Sequence, residues 1–250
     1  HKPFQEENYY SLFDVLGYQN KSKDQLELLE EYEKSFGVSE KSTKLKQKVL
    51  IKLKKLDKAI DEGSKMIKSD PSFVIKQSDV LIKNGNNLAA IQLLEKSIDS
   101  NPEFGDAYSL LSDLYFKTQN QEGLSLLNAK AFSNENLTFD TKIKVLNNTI
   151  LVQENKLNSK VYSQQLEELS NKYPTEARAK IMLGDLLFKQ NEIEKARTTY
   201  LSALEINPDF FQAWVAVLEI DNKVGKNLVE DSEKALEVFP NQALFWYYKG

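Results

Sequence analysis

The sequence predicts an all-α protein built from antiparallel helix pairs, and three observations favour this class. Leu, Lys and Glu are abundant, whereas only nine Gly and six Pro occur in 250 residues, and this composition favours helix over sheet. Apolar residues recur at helical spacing along the chain. Pro71 and Pro102 lie 31 residues apart. Pro174 and Pro208 lie 34 apart, and Pro240 follows 32 residues later. Such a period indicates a repeat of one helix pair.

The clearest repeat is the stretch Ala177–Phe210. Two short helices in this stretch would form a hairpin, because neither can bury its apolar face alone. Gly184 and Ala196 are small where the two helices would approach most closely. Pro208 ends the second helix, since it lacks an N–H donor and disfavours helix at the residue before it. The apolar residues at helical spacing on the two facing stripes are Leu183, Leu187, Tyr200 and Ala203.

This stretch resembles a tetratricopeptide repeat, whose pattern is Trp-x2-Leu-Gly-x2-Tyr, then Ala-x3-Phe, then Pro, in 34 residues. Its main departures are Lys180 in the Trp place and Leu187 in the Tyr place. The resemblance implies a right-handed superhelical solenoid of about seven helix pairs plus the start of an eighth, within a single domain, 1–250. The expected repeats are 6–39, 40–73, 74–104, 105–138, 139–176, 177–210 and 211–242, and the next begins at 243–250.

The first three repeats follow from turn residues between apolar stripes. In the first, Asn20 lies in the turn and Gly37 suits a helix C-terminus. In the second, the second helix begins near Leu56 and Pro71 closes the repeat. The third has Gly85 at its turn.

The later repeats vary more in how they match. The fourth has Tyr115 in the Tyr place, and the fifth is irregular, with a longer turn expected at Asn155–Ser159. The seventh has Trp214 near its start. Ala243–Gly250 repeats the opening of the motif, with Trp246 in the Trp place. Because this helix has no partner after it, we expect the natural protein to continue beyond Gly250, so that the chain is a fragment of a longer protein. The alternative is that this apolar face packs on another chain.

Composition argues against catalysis and against nucleic-acid binding. The only His is His1, and no Cys occurs, which removes a His-based triad and thiolate chemistry. No phosphate-binding glycine motif is present. The net charge is −4, and only Arg178 and Arg197 among 33 basic residues are Arg. We therefore predict a protein that is not an enzyme, that needs no cofactor or metal, and that has no nucleic-acid partner. No run of residues is long and apolar enough to span a membrane.

The resemblance places a partner-binding groove on the first helix of each pair. Apolar residues at one register position there would accept apolar side chains of a partner, or would be packed by neighbouring repeats. Four residues after each of these apolar positions, several repeats carry an acidic residue, and a Lys follows it after another four residues. Such acid–Lys pairs either stabilise their own helix or form a polar ladder that contacts a peptide. The expected groove residues are Tyr10, Lys44, Lys48, Lys52, Ile75, Asp79, Asp113, Phe116, Ile143, Ile181, Asp185, Phe188 and Val215.

The second repeat carries several Lys on one helical face. One interpretation is compensation by the acidic helix before it, which includes Glu33. The other is a positive patch, flanked by Tyr10 and Tyr18, that takes an acidic segment or a C-terminal carboxylate. The carboxylate clamp with which some family members bind chaperone tails is not expected. Its places in this register hold Asp14, Leu45 and Asp79.

These observations favour a scaffold or adaptor that binds a peptide or protein segment in the concave groove. Two alternatives stay open: a structural solenoid within a larger bacterial envelope or secretion protein, and a regulatory domain attached to an enzyme. The absence of Cys and the start at a residue other than Met are compatible with a periplasmic or cell-envelope location. They are equally compatible with trimming of the chain.

Overall fold

The computed structural model describes residues 6–153 and 159–250. These residues form fifteen α-helices and a single turn of 3-10 helix at Pro71–Phe73, and they contain no β-strand. The all-α fold class is therefore confirmed. The turn expected at Asn155–Ser159 falls on residues that the structure does not describe, apart from Ser159, at which a helix begins.

The chain divides into two compact units, His1–Leu114 and Tyr115–Gly250, and each is described by itself. The single-domain organisation stays a prediction. In the first unit the helices alternate with short turns in pairs. They are α1 (Glu6–Tyr18), α2 (Ser22–Phe36), α3 (Glu40–Lys52), α4 (Leu56–Ser69), α5 (Val74–Lys83), α6 (Asn87–Ser100) and α7 (Gly105–Lys117), which begins in this unit.

The second unit continues with the same alternation of helices and short connections. Its helices are α8 (Gln121–Ser133), α9 (Phe139–Val152), α10 (Ser159–Lys172), α11 (Ala177–Lys189), α12 (Ile193–Leu204), α13 (Phe211–Val224), α14 (Leu228–Val238) and α15 (Ala243–Lys249).

Six of the first helices end in the same backbone motif. A residue with positive φ, between 55° and 78°, follows each helix end. The N–H of the residue after it donates to a carbonyl five residues earlier, over 2.8–3.2 Å. This is the Schellman arrangement, which satisfies carbonyls that the helix end leaves open. The residues with positive φ are Asn20, Lys54, Gly85, Gln119, Asn191 and Gly225.

Close helix approach explains the small residues of the clearest repeat. Gly184 on α11 faces the ring of Tyr200 on α12, and a Cβ at Gly184 would lie 2.6 Å from Tyr200 Cε1. Ala196 and Ala203 on the same face of α12 are fully buried. The positions that match the repeat pattern therefore hold the hairpin together.

A layer of buried amides crosses the first unit. Gln47 Nε2 on α3 donates to the carbonyl of Ala59 over 3.0 Å, and it also donates to Gln77 Oε1 on α5. Gln77 Nε2 in turn donates to the carbonyl of Ile60 over 3.2 Å. Both glutamines are almost fully buried, so these bonds supply the partners that buried polar groups need.

Two buried ionic groups join helices within the units. In the first, Lys46 on α3 pairs with Glu33 on α2, which also accepts a hydrogen bond from Ser42. In the second, Arg197 on α12 pairs with Asp221 on α13 over 2.5 Å and with Asp231 on α14. Each group links successive helices through charge rather than through apolar contact alone.

Candidate functional site

The second unit contains a shallow apolar hollow on its first helices, with a volume of about 290 Å³. Residues of α9 and α11, together with one residue before α13, line it. We call this the α9–α11 hollow, and its lining residues are Ile143, Lys144, Asn147, Arg178, Ile181, Met182 and Phe210.

The hollow brings together two of the expected groove residues. Ile143 and Ile181 occupy the same register position in successive repeats, and both line it. Ile143 is almost buried and packs in the core with Leu146, whereas Ile181 and Met182 are only half-buried. The two interpretations of the apolar stripe thus apply to different residues, because Ile143 is largely packed and Ile181 stays accessible.

Arg178 forms one rim of the hollow and is held by its neighbours. Its guanidinium donates to Glu176 over 2.8 Å and to Asp140 over 2.7 Å, and it stacks 4.8 Å above the ring of Phe139. The hydrogen bonds to Glu176 raise the pKa of Arg178. The cation is therefore oriented and partly neutralised, so it is a fixed wall rather than a mobile arm.

Asp185 lies one turn beyond Ile181 on α11. The hydroxyl of Tyr200 donates to Asp185 Oδ1 over 2.6 Å. Burial raises the pKa of the Asp185 carboxyl, and the opposing effects of Tyr200 and Lys189 are smaller. The carboxylate is thus a fixed acceptor on α11, although Asp185 is not among the residues that line the hollow.

The other expected groove residues of the second unit lie at different depths. Phe188 and Phe116 are exposed at 38% and 36% of their surface. Val215 is half-buried and packs against the core around Trp214. None of these three is among the residues that line the α9–α11 hollow.

In the first unit the structure separates residues that the sequence grouped together. Lys48 and Lys52 line a pocket of about 370 Å³ with Tyr18 and Asp14, which we call the α1–α3 pocket. Tyr10 is not among its lining residues. Its ring packs on Tyr32 at 5.2 Å between centroids and is covered by the ammonium of Lys41.

Lys44 is not part of the lining of that pocket either. Its ammonium pairs with Glu40 over 2.6 Å, and Glu40 also pairs with Lys76 over 2.6 Å. Lys46, on the same helix, is buried against Glu33. Compensation by neighbouring carboxylates therefore accounts for Lys44 and Lys46, while Lys48 and Lys52 face the pocket.

The remaining expected residues of the first unit are Ile75, Asp79 and Asp113. Ile75 is half-buried, and both aspartates lie on exposed helix faces. None of them lines the α1–α3 pocket.

Sequence reasoning missed Phe210 and the partnership of Tyr200 with Asp185. Phe210 precedes α13 and reaches the hollow from the connection after Pro208. The sequence did hold one indication of Phe210, because an aromatic residue follows the closing turn of the repeat. It held no indication of the hydrogen bond from Tyr200, because the repeat pattern explains the Tyr200 ring by packing alone.

The described residues offer little for other kinds of site. Among them, no group of three or more His, Cys, Asp or Glu is arranged to hold a metal ion. None of the helices in this described part combines the length and apolar character needed to cross a membrane.

Comparison with known families and structures points to one repeat class. A family model described as a TPR repeat matches residues 184–216, and one described as a tetratricopeptide repeat matches residues 75–123. No curated protein sequence matches the chain significantly.

Solved structures of similar fold share little sequence with this chain. The C-terminal part of a TPR repeat-containing protein from Cytophaga hutchinsonii is 13% identical, with a TM-score of 0.60, and the match covers 96% of this chain and 99% of that one. YrrB, described as a TPR protein with an unusual peptide-binding site, is 14% identical with a TM-score of 0.51, and the match covers 75% of this chain and 97% of YrrB. BtubC from P. vanneervenii is 17% identical with a TM-score of 0.51, and the match covers 76% of this chain and 88% of BtubC. At these identities the likeness concerns the fold.

Proposed function

We propose that this chain, which belongs to the tetratricopeptide-repeat family, binds an extended segment of a partner protein and accepts one of its apolar side chains in the α9–α11 hollow. Tetratricopeptide repeats indicate a protein–protein interaction scaffold at the general level, and this fold is typically non-catalytic.

The observation that carries the proposal is the pairing of Ile143 and Ile181 across one accessible hollow. Equivalent positions on successive first helices provide its two walls, and Phe210 and Met182 extend the apolar lining. Burial of a large aliphatic side chain contributes about 1.5–3 kcal/mol, which is enough to anchor a segment whose other contacts are polar.

Polar groups in the lining, and one turn further along α11, suit an extended main chain. The amide of Asn147 lies in the lining, and the carboxylate of Asp185 is held by Tyr200 one turn beyond Ile181. Such fixed acceptors and donors orient a peptide at little entropic cost. The described peptide-binding site of YrrB supports a peptide as the kind of partner.

The test uses a fluorescein-labelled peptide selected from a random display library for binding to this chain. We expect Ile181→Asp to weaken its binding by about 10- to 150-fold, because a carboxylate in the hollow opposes the apolar side chain. Fluorescence anisotropy measures the dissociation constant, and circular dichroism confirms that the variant is folded.

The matched control is Val229→Asp, which places the same charge on an exposed apolar residue of α14 in the same unit. This variant is expected to bind the peptide within about twofold of the parent chain. A folded Ile181→Asp protein with undiminished affinity for every selected peptide would contradict the proposal.

A second candidate concerns the α1–α3 pocket and an acidic segment. Lys48 and Lys52 line it beside Tyr18, whose side chain is 88% exposed, while a single carboxylate, that of Asp14, lines it with them. An acidic peptide of about eight residues is the probe. Charge reversal at Lys48 and Lys52 should remove its binding, whereas reversal at the exposed pair Lys55 and Lys58 should not. Equal losses from both reversals would indicate unspecific attraction and exclude this pocket.

A further inference from the structure

A larger apolar recess lies in the first unit, on helices that the proposed groove does not use. The second helices α4 and α6 of successive pairs form its walls, and its volume is about 560 Å³. Ile67, Val74, Leu93 and Phe104 contribute its apolar surface. We call this the α4–α6 cleft. Clefts of this size with mostly apolar walls are the usual form of a binding site.

Small side chains leave the cleft open. Ser64 on α4 and Ser97 and Ser100 on α6 stand where larger residues would fill the space between the helices. The hydroxyls of Ser64 and Ser100 donate to carbonyls of their own helices, each over 2.9 Å. Because these hydroxyls turn back to the backbone, the serines add little polarity to the walls.

The rim of the cleft is positively charged. Lys68 on α4 and Lys96 on α6 are exposed and line it. Within the described part of the chain, neither lysine takes part in an ion pair, and no carboxylate lines the cleft. The neighbouring carboxylate of Asp70 is occupied by Ser72, whose N–H and hydroxyl donate to it over 3.0 and 2.6 Å.

We propose that the α4–α6 cleft is a second docking surface, which binds an acidic amphipathic segment of a partner protein. Bulky apolar side chains of that segment occupy the space beside Leu93 and Phe104, and its carboxylates pair with Lys68 and Lys96. The walls of the cleft are apolar and its rim is positively charged, so it matches a segment with apolar residues on one face and acidic residues beside them. This surface is independent of the α9–α11 hollow, since the two share no residue.

The probes are two fluorescein-labelled peptides of about 14 residues, with Leu at the same helical spacing and with flanking residues that are all Glu or all Lys. We expect the Glu peptide to bind and the Lys peptide to bind at least tenfold more weakly. The double variant Lys68→Glu/Lys96→Glu should reverse this preference. Measurement at low ionic strength keeps the rim charges from being screened.

Two further variants test the apolar contact. Leu93→Asp should abolish binding of the Glu peptide, and Ser97→Trp should do the same by filling the cleft without removing any core residue. Leu88→Asp is the matched control, because Leu88 lies on the same helix with 67% of its surface exposed and does not line the cleft. Ile181→Asp should also leave the affinity unchanged, which separates this proposal from the first.

Three results would overturn the proposal. The first is equal binding of the Glu and Lys peptides, and the second is an unchanged preference in the charge-reversed variant. The third is binding of dodecanoate that depends on Leu93 while neither peptide binds, since the cleft would then hold a small amphiphile rather than a protein segment.

Discussion

Gly63 on α4 lies against the buried amides of Gln47 and Gln77. A Cβ at this position would lie 1.7 Å from Gln77 Oε1 and 2.5 Å from Gln47 Nε2. The residue is therefore small because two polar side chains from α3 and α5 meet beside it. Their hydrogen bonds are possible only while that space is free.

We expect Gly63→Ala to destabilise the protein by about 1–3 kcal/mol, because the new methyl group displaces an amide that then loses its buried partners. Urea unfolding monitored by circular dichroism measures the change. In a Gln77→Ala background the same substitution should cost much less, since the nearest colliding atom is gone. Equal costs in both backgrounds would show that the amide layer is not the reason for the glycine.

Glu40 at the start of α3 gives a dependence of stability on pH. Hydrogen bonds from Lys44, and then from Lys76, lower the pKa of its carboxyl to about 2 from the ordinary value of 4.5. A carboxylate with a depressed pKa stabilises the folded state above its unfolded pKa, and this contribution is lost as the pH falls. Unfolding midpoints of the parent chain and of Glu40→Gln should therefore converge between pH 4.5 and pH 2. A difference that stays constant across this range would contradict the pairing.

At this scale the sequence predicted packing residues better than contact residues. Gly184 and Tyr200 were identified because helix approach constrains size at fixed positions of the repeat. Tyr10 was placed beside the lysine patch from its register alone; its ring lies under Lys41 and packs on Tyr32, but it does not line the pocket with Lys48 and Lys52. Side-chain direction at an exposed position depends on neighbours distant in sequence, which helical periodicity does not encode.

At the scale of helices, Arg197 connects α12 with α13 and α14. Its guanidinium is shared by Asp221 and Asp231, whose side chains are almost fully buried. Lys234 also reaches Asp231, over 3.1 Å. Burial raises the pKa of Asp221, against the opposing effect of Arg197. The three helices are thus held by a charge group that is stable only when complete.

We expect Arg197→Met to destabilise the protein by about 3–5 kcal/mol, because it leaves two buried carboxylates with Lys234 as the remaining cation. Adding Asp221→Asn and Asp231→Asn should recover most of that loss, since the uncompensated charges are removed. Urea unfolding of the three proteins gives the comparison. Failure of the triple variant to recover stability would mean that Arg197 acts through its packing.

The helices themselves were largely readable from the sequence. Turn residues such as Gly85, and Gly37 at the end of α2, marked their ends, because backbone conformations with positive φ favour particular residues. The ionic group at Arg197 was not anticipated. Asp221 and Asp231 follow Arg197 by 24 and 34 residues, and no local sequence pattern links them to it.

For the molecule as a whole, repeat proteins gain stability mainly from contacts between adjacent repeats. A local loss should therefore stay local. We expect Arg197→Met to speed amide hydrogen exchange in α12, α13 and α14 while α3, α4 and α5 keep their protection. Exchange measured by mass spectrometry resolves these segments. Uniform acceleration along the chain would instead indicate one cooperative unit.

The left-handed residue that ends six of the first helices is Lys54 in one hairpin and Gln119 in another. Neither residue type favours that conformation, whereas Gly adopts it without strain. Lys54→Gly and Gln119→Gly should each raise the free energy of unfolding by about 1 kcal/mol.

Because the turn between helices has the same backbone geometry each time, a whole helix pair can be duplicated or excised with its connection intact. A chain of this kind can lengthen by gene duplication without inventing a new connection.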